Sequence, residues 1–230
     1  DARKSRGLGD VYKRQNSYSA AVTQIDKQVF SDGDGEDLSS VMGDVVFNND
    51  GTKMFTSYSN NTGNNTNDDV INEYTLSVPY DISSATYAGA SERCAVTDGE
   101  DGRKDNAMLS FSFSDDGMKI FVAQRGLNGV HNSFVNRLDL TSAFDVSTCV
   151  YVNEINVDTD LLQNGSTSGP RVNTGGRNNL QGLDITNDGT KMFLTMNDRD
   201  GNQSVKKYNF ATPYDSVSYT HLTLPTNIGV

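Results

Sequence analysis

An all-β fold of repeated four-stranded antiparallel sheets is predicted by three observations in the amino-acid sequence. First, the segment Phe47-Asn48-Asn49-Asp50-Gly51-Thr52-Lys53-Met54-Phe55 returns as Phe113-Ser114-Asp115-Asp116-Gly117-Met118-Lys119-Ile120-Phe121, and again as Ile185-Thr186-Asn187-Asp188-Gly189-Thr190-Lys191-Met192-Phe193. Second, each copy is followed by a Tyr/Leu block and a Tyr/Phe-Asp pair in the same order: Ile71–Leu76 before Tyr80-Asp81, Val135–Leu140 before Phe144-Asp145, and Val205–Phe210 before Tyr214-Asp215. Third, apolar residues alternate with period two ahead of each Asp-Gly pair: Val45 and Phe47, Phe111 and Phe113, Leu183 and Ile185. A fixed period of two blocks marks a repeat architecture, and alternation marks a half-buried strand.

Each repeat reads as four strands in order. The alternating residues form the first. The Asp-Gly pair turns the chain, with glycine taking positive φ and aspartate bonding nearby amides. The second strand, Lys53–Ser57, Lys119–Ala123 and Lys191–Met196, is almost continuously apolar, as a strand covered on both faces should be. A variable Asn/Gly-rich loop leads to the third strand, the Tyr/Leu block. The Tyr/Phe-Asp turn then leads to a fourth, near Ala85–Ala88 and Thr148–Val152. Gly51 and Gly117 lie 66 residues apart, and Gly117 and Gly189 lie 72 apart. Those intervals exceed the roughly 40–50 residues of one propeller blade, so long loops are expected between strands.

Composition agrees. Among 230 residues, 35% are hydrophobic, Trp is absent, and Tyr (10) and Phe (10) supply the large core side chains. The 21 glycines suit many tight turns. The formal net charge is −11, which disfavours nucleic acid and anionic membranes because phosphate recognition needs clustered Lys and Arg. No apolar run is long enough to insert in a membrane as a helix. Cys94 and Cys149 lack metal-ligand spacing and suit either a disulfide between neighbouring outer strands or two buried free thiols.

The Asp-Gly-x-Lys-apolar-Phe hairpin resembles that of lactonase-type (YVTN-repeat) bacterial β-propellers over roughly residues 41–215. The resemblance implies a partial β-propeller: about three four-stranded antiparallel blades (41–97, 107–157 and a truncated 178–216) plus the outer strand of a preceding blade (16–31). Three blades do not close the roughly four- to eight-blade ring of the class, so the missing blades of a longer chain are expected partners. Without them the terminal blades should expose apolar faces and favour self-association.

The two ends read differently. Asp10-Val11-Tyr12-Lys13-Arg14-Gln15 can be encoded by GATGTGTATAAGAGACAG, whose reverse complement encodes Val217-Ser218-Tyr219-Thr220-His221 in one frame. The string resembles the transposon end used in sequencing libraries. Residues 1–15 and 217–230 are therefore expected to be artefactual tails around a fragment spanning 16–216, and are set aside in the fold prediction. Removing them takes the net charge from −11 to −14, because residues 1–15 carry five basic and two acidic residues.

Candidate sites lie in the variable loops. Asp32, Asp34 and Glu36 in one connector, and Asp98, Glu100 and Asp101 in the equivalent one, alternate with glycine and could gather oxygens around Ca²⁺. Asp32 precedes Gly51 by 19 residues, as Asp98 precedes Gly117. The EF-hand pattern itself is absent. Arg125, His131, Arg171 and Arg177 are candidate ligand-binding residues: His131, near Arg125 in the second variable loop, could serve as a base or ligand, and Arg171 and Arg177 could bind a carboxylate or sugar. The recurring Lys53, Lys119 and Lys191, the turn aspartates Asp81, Asp145 and Asp215, and the aromatic anchors Tyr80, Phe144 and Tyr214 point to architecture instead. The chain has no Gly-x-Ser-x-Gly elbow, His-Glu-x-x-His or phosphate loop. No catalytic residue is assigned. The expected function is a non-enzymatic module that binds a protein or carbohydrate or serves as structure, at an extracellular, periplasmic or virion surface and of environmental microbial origin. The alternative is a lactonase-like or other hydrolase with a metal in the propeller channel.

Overall fold

The fold is seen in a computed structural model that describes residues 41–59, 69–96, 106–126, 133–157, 179–197, 203–215 and 219–220. Three separate antiparallel sheets follow one another along the chain. The first holds β1 (Val41–Phe47), β2 (Lys53–Ser59), β3 (Val70–Leu76) and β4 (Ala85–Tyr87), with β5 (Cys94–Ala95) also pairing β3. The second holds β6 (Asn106–Phe113), β7 (Lys119–Gly126), β8 (Phe134–Asp139) and β9 (Val150–Asn156). The third holds β10 (Asn179–Ile185), β11 (Lys191–Asn197), β12 (Gln203–Phe210) and β13 (Tyr219–Thr220).

The repeat predicted from sequence is a repeat in register. Phe47 pairs Met54, Phe113 pairs Ile120, and Ile185 pairs Met192, so the three first-strand residues hold one place in three successive sheets. Each first strand also carries a bulge at one position, between Met42 and Val45, Met108 and Ser110, and Leu180 and Gly182. An extra residue there bends the strand and re-aims its side chains.

The Asp-Gly turn and the aromatic-Asp turn interlock. Gly51, Gly117 and Gly189 take φ of 73°, 69° and 65°. Their carbonyls accept the amides of Tyr80, Phe144 and Tyr214 at 3.0, 2.9 and 2.9 Å. Those aromatic residues themselves take positive φ, a conformation that costs any residue bearing a Cβ. Their rings lie on the glycines: a Cβ on Gly51, Gly117 or Gly189 would sit 2.4, 2.3 or 2.3 Å from the ring. Glycine is therefore needed twice over, for its φ and for the seat it offers an aromatic side chain.

The sheets stack through repeated faces. Phe55 and Ile71 of the first sheet pack with Met108, Phe111, Ile120 and Val122 of the second. Phe121, Ala123 and Val135 of the second pack in turn with Leu180, Leu183, Met192 and Leu194 of the third. Consecutive first strands run side by side, which places them innermost. This is the stacking of propeller blades, and the three sheets form a partial propeller.

Two details differ from the sequence prediction. The first sheet gains β5, because Cys94 and Ala95 pair Ile71 and Val70 beyond the reach of the short β4. Tyr219–Thr220, set aside with the C-terminal tail, pairs Phe210 and Asn209 in the place of a fourth strand. The backbone of β12 offers a free ladder edge, and a β-prone Tyr-Thr pair docks there whatever the origin of its codons. The expected outer strand at 16–31 lies outside the described residues.

Candidate functional site

Asp32, Asp34, Glu36, Asp98, Glu100, Asp101, His131, Arg171 and Arg177 lie outside the described residues. Arg125 is described: it ends up half-buried near the end of β7, opposite Ala107. Among the described residues no three His, Cys, Asp or Glu side chains gather as a metal group would require.

The cysteines are joined. Cys94 and Cys149 form a disulfide with Cα atoms 5.8 Å apart, closing a sequence separation of 55. It ties β5 of the first sheet to the turn ahead of β9 in the second, so the bond crosses between blades.

Three sets of polar side chains also bridge blades. At the bulge, the Asp44 carboxylate accepts from the Ser110 hydroxyl at 2.8 Å and the Phe111 amide at 3.3 Å. Ser110 Oγ in turn lies 3.3 Å from both the amide and the carbonyl of Leu183, linking all three first strands. Ahead of the third strands, the Asp69 carboxylate accepts the Met108 amide at 3.1 Å, and Ser133 Oγ accepts the equivalent Leu180 amide at 3.5 Å. Gln124 Nε2 also reaches Asp69, and Asn136 donates to Gln124 Oε1 at 2.6 Å. Asn72, in the equivalent place on the first sheet, is buried with neither side-chain amide atom bonded.

The third set involves charge. Lys53 Nζ lies 2.6 Å from Glu73 Oε1 and donates to the Phe144 carbonyl at 2.8 Å. Glu73 accepts the Val146 amide at 3.4 Å. Burial pushes the Glu73 carboxyl above its ordinary value, against the pull of Lys53. One repeat on, Arg137 holds Asp139 through two 2.8 Å bonds and lies 3.7 Å from Asp215 of the third sheet. The Arg137 bonds keep the Asp139 carboxyl below its ordinary value. Glu73 and Arg137 hold equivalent places, and each reads the aromatic-Asp turn of the next blade.

The bridging residues Asp44, Ser110 and Asp69 escaped sequence reasoning. The signal for the first two is visible in retrospect: the apolar spacing Met42, Val45, Phe47 runs three then two, and it repeats at Met108, Phe111, Phe113 and at Leu180, Leu183, Ile185. A strand that skips one residue at the same place in every copy announces a bulge.

One open concavity is lined by Gln181, Thr195, Met196, Gln203, Ser204 and Val205, with a volume of about 420 Å³. It lies on the far side of the third sheet, where Val205 is 70% exposed while its equivalents Ile71 and Val135 are 0% exposed. Fold and site together define the class: a blade array of the β-propeller type, with polar joints between blades and an uncovered face on its third sheet. Compared with known proteins, the chain matches no protein-family model and no curated protein sequence.

Proposed function

We propose that this chain is a binding or structural propeller module that works outside the cytoplasm and performs no chemistry of its own. The observation that carries this reading is where the recurring charged residues are used. Lys53 and Lys119 pair Glu73 and Asp139, and Lys191 donates to the Thr190 hydroxyl. Asp50, Asp116 and Asp188 each accept a hairpin amide at 3.0 Å, and Asp81 and Asp145 accept serine hydroxyls at 2.6 Å. Residues so engaged hold blades in shape, which leaves recognition to the loops that vary between repeats. The inter-blade disulfide supports an oxidising setting such as the periplasm or cell exterior. The ligand class is a protein or carbohydrate, met by Arg125 at the end of β7 and by His131, Arg171 and Arg177, with Ca²⁺ at the two acidic connectors.

A panel of ester and lactone substrates, run with Ca²⁺, Mn²⁺ and Zn²⁺ in turn, tests the proposal. No turnover above the protein-free blank is expected, and sustained turnover would overturn it in favour of a metal hydrolase. Calorimetric titration with Ca²⁺ should give saturable heat that Asp98→Asn with Asp101→Asn roughly halves, and that adding Asp32→Asn with Asp34→Asn removes.

A further inference from the structure

We infer that the open face of the third sheet is a two-fold interface between two copies of this chain, the third sheet of one lying face to face on the third sheet of the other. The cross-strand register sets out that face in two rows. Asp184, Phe193 and Lys207 are aligned in one row across β10, β11 and β12, and Gly182, Thr195 and Val205 in the next. Residues directly opposite one another share one side of a sheet. This side is turned away from the second sheet, because Met192, Leu194 and Met196 are the β11 residues that pack there. Asp184, Thr195 and Lys207 are exposed on it, Val205 is 70% exposed, and Phe193 is half-buried.

Each row matches itself when turned over. A two-fold axis running along β11, midway between the facing sheets, lays β10 of one copy on β12 of the other and β11 on β11. In the first row Asp184 then meets Lys207 of the second copy, Lys207 meets its Asp184, and the two Phe193 rings meet on the axis. In the second row Val205, the most exposed large apolar side chain among the described residues, comes over Gly182 of the second copy, a position with no side chain. The concavity lined by Gln181, Thr195 and Val205 spans the same row and leaves room for it. Opposite charges, a ring pair and a side chain set over a glycine make the surface complementary to itself, as an isologous contact requires. An axis running across the strands would instead lay each strand on its own copy and bring Lys207 over Lys207 or Val205, with no opposite charge for Asp184. The second sheet packs on the opposite face of the third, so it stays clear of the contact.

Sedimentation velocity over a concentration series tests this on the whole chain. A discrete two-chain species is expected, weakened by added salt because ion pairs help to hold it. Asp184→Lys and Lys207→Asp, both at exposed positions, should each weaken self-association roughly tenfold, because either one turns both symmetry-related pairs into repulsions. Mixed in equal amounts, the two variants should form the two-chain species again, since each supplies the charge that the other now needs. Circular dichroism spectra matching the parent keep folding out of the comparison. Monomer at every concentration, open-ended polymers, a two-chain species indifferent to both variants, or a mixture that associates no better than its components would overturn the inference.

Discussion

Gly117 carries two constraints at once, a φ of 69° and a Phe144 ring where a Cβ would sit. Alanine there should cost about 2–4 kcal/mol, combining roughly 1 kcal/mol for positive φ with the overpacking of a seated ring. Phe144→Ala should cost about 2–3 kcal/mol, less than a fully buried phenylalanine because the ring is half-buried. Once the ring is gone the added methyl has room, so the double variant should lose less than the two single losses combined. Urea unfolding of the four proteins completes the cycle, and strict additivity would show that ring and glycine act independently.

Asp188 sets a pH dependence. Its bonds from Thr186 and Thr190 hold its carboxyl at about 2, below the ordinary 3.8. Asp50 and Asp116 are lowered in the same way by their own hairpins. A depressed carboxyl stabilises the fold fully above its unfolded value and loses that contribution as pH falls from 3.8 to about 2. The melting temperatures of the parent and Asp188→Ala should therefore differ at pH 6 and converge near pH 2. Glu73 runs the other way: with its carboxyl raised above 4.5, its contribution declines as pH climbs past 4.5.

At the scale of elements, the joints between sheets are unequal. The first joint carries the Cys94–Cys149 disulfide, the Lys53–Glu73 pair and the Asp69 bond to Met108. The second carries the longer Arg137–Asp215 contact at 3.7 Å and the Ser133 bond at 3.5 Å. Cross-linking a loop of 55 residues restricts the unfolded chain by about 4 kcal/mol on the loop-entropy account. Cys94→Ala with Cys149→Ala should thus lower unfolding free energy by about 2–4 kcal/mol in chemical denaturation. Addition of reductant should reproduce the loss in the parent and leave the variant unchanged.

Among the described residues, each blade packs chiefly on its neighbours, as in other repeat proteins, so stability should follow the strength of the joints. The third sheet has one covered face and no disulfide, and its fourth strand has two ladder pairs. Amide exchange should accordingly be faster through β11 and β12 than through β7 and β8. Equal protection in the two regions would mean that the array opens as one unit.

The blade repeat was legible in the linear chain because its determinants are local. Period-two alternation, an Asp-Gly turn and a Tyr/Phe-Asp turn depend on near neighbours in sequence, so Phe47, Phe113 and Ile185 could be assigned matching places without coordinates. Pairings between blades could not. Asp44 meets Ser110, Arg137 meets Asp215 and Cys94 meets Cys149 only because stacking superimposes residues 55 to 78 positions apart, and no local pattern encodes which side chains a stacked neighbour brings within bonding distance. The exposure of Val205 has the same origin. By sequence it matches the buried Ile71 and Val135, and its environment was decided by what lies across the sheet face.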